Sequence, residues 1–132
     1  MAIALFRLVP MTVVMGTIFF LSHQSAEQLP LPQLPGIDKL AHFVAYAVLA
    51  ATVLFGWGPE RRQQRPARTV ILTALWSLLY GISDELHQSL VPGRQPDLFD
   101  LLADGAGVVF TCVLWWWWRR ARPEANAVRT AG

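Results

Sequence analysis

Residues 40–57 read LAHFVAYAVLAATVLFGW, and residues 98–118 read LFDLLADGAGVVFTCVLWWWW. Each approaches the roughly 20 apolar residues that carry a helix across about 30 Å of hydrocarbon. Two further apolar stretches flank the first, from about Ile3 to Leu21, interrupted by Arg7 and Pro10, and from about Thr69 to Leu90. The composition agrees with these runs. Of 132 residues, 54% are hydrophobic and 15% charged, where a soluble domain carries about 25% charged residues. A water-facing surface is hard to build from this chain. The single cysteine, Cys112, lies in an apolar run, which excludes an internal disulfide and any multi-cysteine metal site.

The expected fold is therefore all-α: an integral membrane four-helix transmembrane bundle, one domain over residues 1–132, with helices at about 3–21, 40–57, 69–90 and 98–118. The connections are short. Residues 23–37 are Pro-rich and favour an extended link on the membrane surface. Residues 58–68 form a basic connection, and residues 91–97 carry the turn signal Pro92-Gly93. Arg7 ahead of an apolar core could mark a secretory signal. No small-x-small cleavage pattern follows among Phe20, Ser22, Gln24 and Ala26, so a retained helix is expected.

Orientation follows from the basic residues. Arg7, Arg61, Arg62, Arg65, Arg68, Arg119, Arg120, Arg122 and Arg129 fall on one side of a four-helix topology, and Lys39 and Arg94 on the other. The positive-inside rule then places both termini in the cytoplasm. Trp57 and Trp115–Trp118 stand beside the basic segments, as interfacial anchors should. An Arg- and Trp-rich end could also be read as a nucleic-acid patch, but a preceding apolar span makes it a membrane anchor, and no nucleic-acid partner is expected.

The polar residues within the spans are more informative. Asp38, His42 and Tyr46 share one helix face at i, i+4, i+8. Tyr80, Asp84 and Gln88 repeat that spacing, with Glu85 and His87 beside them, and Asp97, Asp100 and Asp104 follow at i, i+3, i+7. All three polar ends face outward in this topology, and Asp84, Asp104 and Tyr46 sit ~9 Å below the outer surface. Three polar faces at one depth make one site. A carboxylate at a helix centre costs about 2.5–3.5 kcal/mol on insertion scales, so these groups should face the bundle interior, paired, protonated or metal-bound. Six acids (Asp38, Asp84, Glu85, Asp97, Asp100, Asp104) stand against Lys39 and Arg94, a formal excess of four negative charges.

The runs Asp38-Lys39-x-x-His42-x-x-x-Tyr46, Ser83-Asp84-Glu85-x-His87-Gln88, Pro92-Gly93-Arg94 and Asp100-x-x-x-Asp104-x-x-Gly107 resemble the signature of VanZ-like membrane proteins. The polar stretch Ser22–Ser25 also resembles that family. The resemblance implies a small protein of the bacterial cytoplasmic membrane, acting at the cell envelope. The family's namesake is associated with resistance to the glycopeptide antibiotic teicoplanin. The family usually has Asn where this chain has Asp104, so part of the acidic excess is its own.

Three functional classes fit these residues. In the first, a membrane enzyme acts on an envelope component from the outer leaflet. His42, His87, Asp84, Glu85 and Asp100 would supply acid–base chemistry or hold a divalent metal. Lys39 and Arg94 would hold an anionic group, with Gln88, Tyr46, Asp38 and Asp104 completing the binding surface. The second is a non-catalytic protein that binds a lipid headgroup, wall precursor or drug in the same cleft. The third, a proton-linked transporter, is disfavoured because Val48–Phe55 and Val108–Trp118 leave no polar path to the cytoplasm. Blander readings stand beside these. Either histidine alone could be an interhelical strut, contributing about 0.6 kcal/mol. Arg94 could pair with Asp97, Lys39 could snorkel to the interface, and Tyr46 and Tyr80 could each pack with one hydrogen bond. Gly105 and Gly107 suit close helix contact, and Trp76 suits core or lipid-facing bulk. No H-E-x-x-H, P-loop or G-x-S-x-G motif is present.

The orientation is directly testable. Reporter fusions after Trp57 should read as cytoplasmic, and fusions after Gln95 as extracytoplasmic. The reverse pattern would move the polar end to the inner face.

Overall fold

The computed structural model describes residues 5–24, 35–94 and 96–121. The Pro-rich link through residues 25–34, Gln95, and the tail with Arg122 and Arg129 lie outside them. Among the described residues all regular structure is helical: α1 Val9–Ser22, α2 Ile37–Gly56, α3 Gly58–Gln64, α4 Pro66–Gln88 and α5 Leu98–Arg120.

Local chemistry sets these limits. Pro stands in the first positions of α1, α3 and α4, where its missing N–H is one the helix would leave unpaired anyway. The main run of α1 accordingly starts at Val9, beyond the expected Ile3. Asp97 caps α5 by accepting a hydrogen bond from the Phe99 N–H at 2.8 Å. The basic connection after α2 is not simply a loop. Glu60 stands in the first turn of α3 and Arg61 and Arg62 in its last, the charge order that a helix dipole favours.

The distribution of side chains is inverted relative to a water-soluble domain. On α4 the buried residues are Thr69, Thr73, Ser77, Gly81, Asp84, Glu85 and Gln88. Its outward face carries Ile71, Leu75, Trp76, Leu79, Ile82 and Leu86, all exposed. Phe19, Phe20, Val44, Val109, Phe110 and Val113 likewise point out from the other long helices. Small and polar residues inside with large apolar residues outside is the arrangement expected of helices packed in lipid. Two helices, Ile37–Gly56 and Leu98–Arg120, are also long and apolar enough to cross a membrane. α1 is apolar but only 14 residues long, and the polar stripe of α4 lowers its hydropathy.

Side-chain contacts fix the helix directions. Lys39 meets Asp97 and Asp100, His42 meets Asp104, and Thr111 donates to the Ala47 carbonyl, so α2 and α5 run parallel. Tyr80 donates to the Met15 carbonyl and Ser22 to Asp84, so α1 and α4 run parallel as well. Trp57, just past the end of α2, donates to Thr73 near the start of α4, which sets the two pairs antiparallel. The polar ends of all four long helices therefore gather at one end of the bundle. Arg7, Arg61, Arg62, Arg65, Arg68, Arg119 and Arg120 gather at the other, where Arg119 donates to the Gln63 carbonyl and Arg61 lies over the Trp57 ring.

The α2–α5 pair is the closest in the bundle. Gly107 abuts the Phe43 carbonyl, and a β-carbon there would collide with that oxygen and lie 3.0 Å from the Ala47 nitrogen. Gly105 faces only the end of the Leu78 side chain, at 3.6 Å, so Gly107 alone of the two is needed for the close contact.

Gly107→Ala should lower the thermal stability of detergent-solubilised protein by about 1–3 kcal/mol or more, because backbone cannot swing aside as a side chain can. Gly16→Ala, with nothing within 4 Å, should be neutral or slightly stabilising. Equal melting temperatures for Gly107→Ala and wild type would contradict the close contact.

Candidate functional site

The polar end is organised in three layers. Outermost, the Lys39 ammonium lies 2.9 Å from Asp38, 2.6 Å from Asp97 and 2.7 Å from Asp100. Its charge is shared among three carboxylates within the protein. It does not simply snorkel to solvent. Asp97 joins α4 to this layer, since its own N–H donates to Glu85 Oε2 at 3.1 Å.

Beneath lies His42. Its Nδ1 is 2.9 Å from Asp104 Oδ1, and its Nε2 is 3.8 Å from Asp100 Oδ2. Asp104 is fully buried. One ligand atom each from His42, Glu85 and Asp100 lies within 4.8 Å of the other two. Deeper still, the Tyr46 ring packs against Gly81, whose missing side chain leaves room for both that ring and Asp104 Oδ2. The Tyr46 hydroxyl is buried without a hydrogen-bond partner, whereas the Tyr80 hydroxyl donates to Met15 as expected of a packing residue.

The third layer lies on the α1 side. Asp84 Oδ2 accepts from Ser22 Oγ at 2.8 Å and from Gln88 Nε2 at 3.2 Å. Ser22 belongs to the polar stretch ending α1, yet only the structure makes it a partner of Asp84. His87 stands apart from His42. Its Nε2 is 3.3 Å from His23 Nδ1 and its ring packs on Phe19, with centroids 4.6 Å apart. The sequence placed both histidines in one acidic group, but one turns toward α5 and the other toward α1. His23 was not singled out from the sequence, and its only sequence signal was the polar run Ser22-His23-Gln24.

A cleft of about 320 Å³ opens between these layers. Ile18, Leu21, Ala41 and Ala45 form its apolar wall, and Ser22, Asp38, His42, Tyr46, Asp84, Gln88, Arg94 and Asp100 its polar lining. Arg94 reaches it from a tight turn in which Gly93 has φ 81° and the Arg94 N–H donates to the Val91 carbonyl. Pro followed by Gly at positive φ is the pattern of a type II turn. Arg94 Nε is buried without a hydrogen-bond partner, so the residue is not spent on Asp97. Arg94 is the cation of the cleft lining, and Lys39 is not among the residues that form it.

The signature of the VanZ/LLP1 family matches residues 2–119, and the chain belongs to that family. No curated protein and no solved structure shows a significant match to it.

The outer layer carries a pH signature. The Lys39 ammonium, with help from the Phe99 N–H, holds the Asp97 carboxyl below the usual carboxylate range. A carboxyl lowered in the folded state contributes stability that is fully present above about pH 4 and is lost as pH falls through the folded value. Lys39→Met removes the main cause. Its melting temperature should be lower than wild type at pH 7, and should fall less steeply between pH 5 and pH 3. Equal acid slopes would count against the Lys39–Asp97 pairing.

Proposed function

We propose that this member of the VanZ/LLP1 family is a four-helix transmembrane bundle of the bacterial cytoplasmic membrane that binds the polar head of an envelope amphiphile in its outward-facing cleft. In this reading α1, α2, α4 and α5 all cross the bilayer as a single domain, with both termini cytoplasmic. The basic end and its tryptophans then lie at the inner interface, while α3 lies along that interface.

The observation that carries the reading is the composition of the cleft: an apolar wall from α1 and α2 facing a floor of carboxylates, Gln88 and Arg94. The wall suits the apolar root of a membrane-embedded ligand. Arg94 suits a phosphate or carboxylate, which a guanidinium grips bidentately. Asp84, Asp100 and Gln88 suit hydroxyl or amino donors. A head with both kinds of group is the chemistry of a sugar-bearing, lipid-linked wall precursor. Altered handling of such a precursor would also give a physical route to teicoplanin resistance of the kind attached to the family's namesake.

Mass spectrometry of lipids co-purified in a mild polymer extract tests the binding. Wild-type protein should retain a phosphate- or carboxylate-bearing glycolipid well above its bulk abundance. Arg94→Ala should lose most of that enrichment, and Asp84→Asn part of it. Identical lipid profiles for wild type and Arg94→Ala would defeat the proposal.

A further inference from the structure

His42, Glu85 and Asp100 share a feature that their ion pairs and hydrogen bonds do not explain. Each is anchored at one end and unspent at the other. His42 Nδ1 is held by Asp104 at 2.9 Å, leaving Nε2. Asp100 Oδ1 is held by Lys39 at 2.7 Å, leaving Oδ2 at 3.8 Å from His42 Nε2. Glu85 Oε2 accepts from the Asp97 N–H at 3.1 Å, leaving Oε1. Glu85 is only 8% exposed, and Oε1 is buried with no hydrogen-bond partner. Three side chains from α2, α4 and α5 thus bring one ligand atom each to within 4.8 Å of one another.

We propose that His42 Nε2, Glu85 and Asp100 form a binding site for one divalent transition-metal ion, with Asp104 as the residue that orients the imidazole.

The chemistry fits in three respects. A separation of 3.8 Å between His42 Nε2 and Asp100 Oδ2 is too long for a hydrogen bond, and a modest inward movement would suit two ligands on one ion. The carboxylate on Nδ1 fixes the tautomer whose Nε2 lone pair is free, the usual outer-shell arrangement for a ligating histidine. Buried carboxyl groups outnumber the cations beside them, since Lys39 is divided among three acids. One imidazole with two carboxylates favours Zn²⁺, Mn²⁺ or Fe²⁺ over Mg²⁺ or Ca²⁺, which take oxygen donors. Because His42 and Asp100 also line the cleft, the ion would border whatever occupies it. Asp84 is excluded from the set, because Ser22 and Gln88 hold its Oδ2 on the α1 side. His87 is excluded by its contact with His23 and Phe19.

The test needs no ligand for the cleft and is independent of the headgroup reading. Full-length protein in detergent is stripped with chelator, loaded with Zn²⁺ or Co²⁺, desalted and analysed for bound metal. Wild type should hold about one ion per chain, show cobalt visible absorption, and melt at a higher temperature when loaded. Glu85→Gln and Asp100→Asn should fold but lose stoichiometric metal, the cobalt spectrum and the metal-induced rise in melting temperature. Asp104→Asn should retain the site with affinity reduced roughly 10–100-fold, and Asp84→Asn should bind as wild type. Wild-type protein that takes up no stoichiometric metal overturns the proposal. So does metal uptake that Glu85→Gln leaves unchanged, or that Asp84→Asn abolishes equally. Metal-free protein that still retains its amphiphile would overturn this inference while leaving the proposed function standing.

Discussion

A carboxylate among apolar helices is costly wherever it faces lipid, and this chain has to accommodate Asp84, Glu85, Asp100 and Asp104 within its long helices. That constraint orders the rest of the molecule. Each acid turns inward and acquires a partner from another helix or from the adjoining turn: Ser22 for Asp84, the Asp97 N–H for Glu85, Lys39 for Asp100 and His42 for Asp104. The outer surfaces of the same helices are left to leucine, isoleucine, valine and phenylalanine. A lipid environment asks for both halves of this arrangement, and a water-soluble core for neither.

Bringing the acids together requires the helices to approach closely. Gly107 lets α5 lie against the backbone of α2 at Phe43 and Ala47, and the parallel direction of the pair holds His42 level with Asp104. Gly81 does the same service on α4, where its bare α-carbon makes room for Tyr46 and Asp104. Packing and electrostatics are therefore not separable here. The glycines set the register, and the register decides which carboxylate meets which base.

The two ends of the bundle have opposite character. Seven described arginines stand at one end with Trp57 and the Trp115–Trp118 run, while Lys39 and Arg94 stand among carboxylates at the other. The single strong cation of the outer layer is consumed within the protein, which leaves Arg94 for the cleft. That division of labour puts Arg94, and not Lys39, in the lining of the cleft. It is invisible in a count of charges.

The sequence by itself determined the helical class and the polar faces, because these depend only on spacing along the chain. Asp38, His42 and Tyr46 share a face by helical period alone, and the family signature is read from the same residues. Several boundaries are misread from the chain alone, since Pro10 looks like an interruption and residues 58–68 like a connection, whereas Pro10, Pro59 and Pro66 each stand in the first positions of a helix. Helical period says which residues share a face, but not how one helix is rotated against the next. Only the tertiary structure therefore decided that Lys39 is shared among three acids, that His87 turns to His23, and that Ser22 is the partner of Asp84. It also decided which atom of His42, Glu85 and Asp100 is left unspent, because that depends on rotamers set by neighbours distant in the chain.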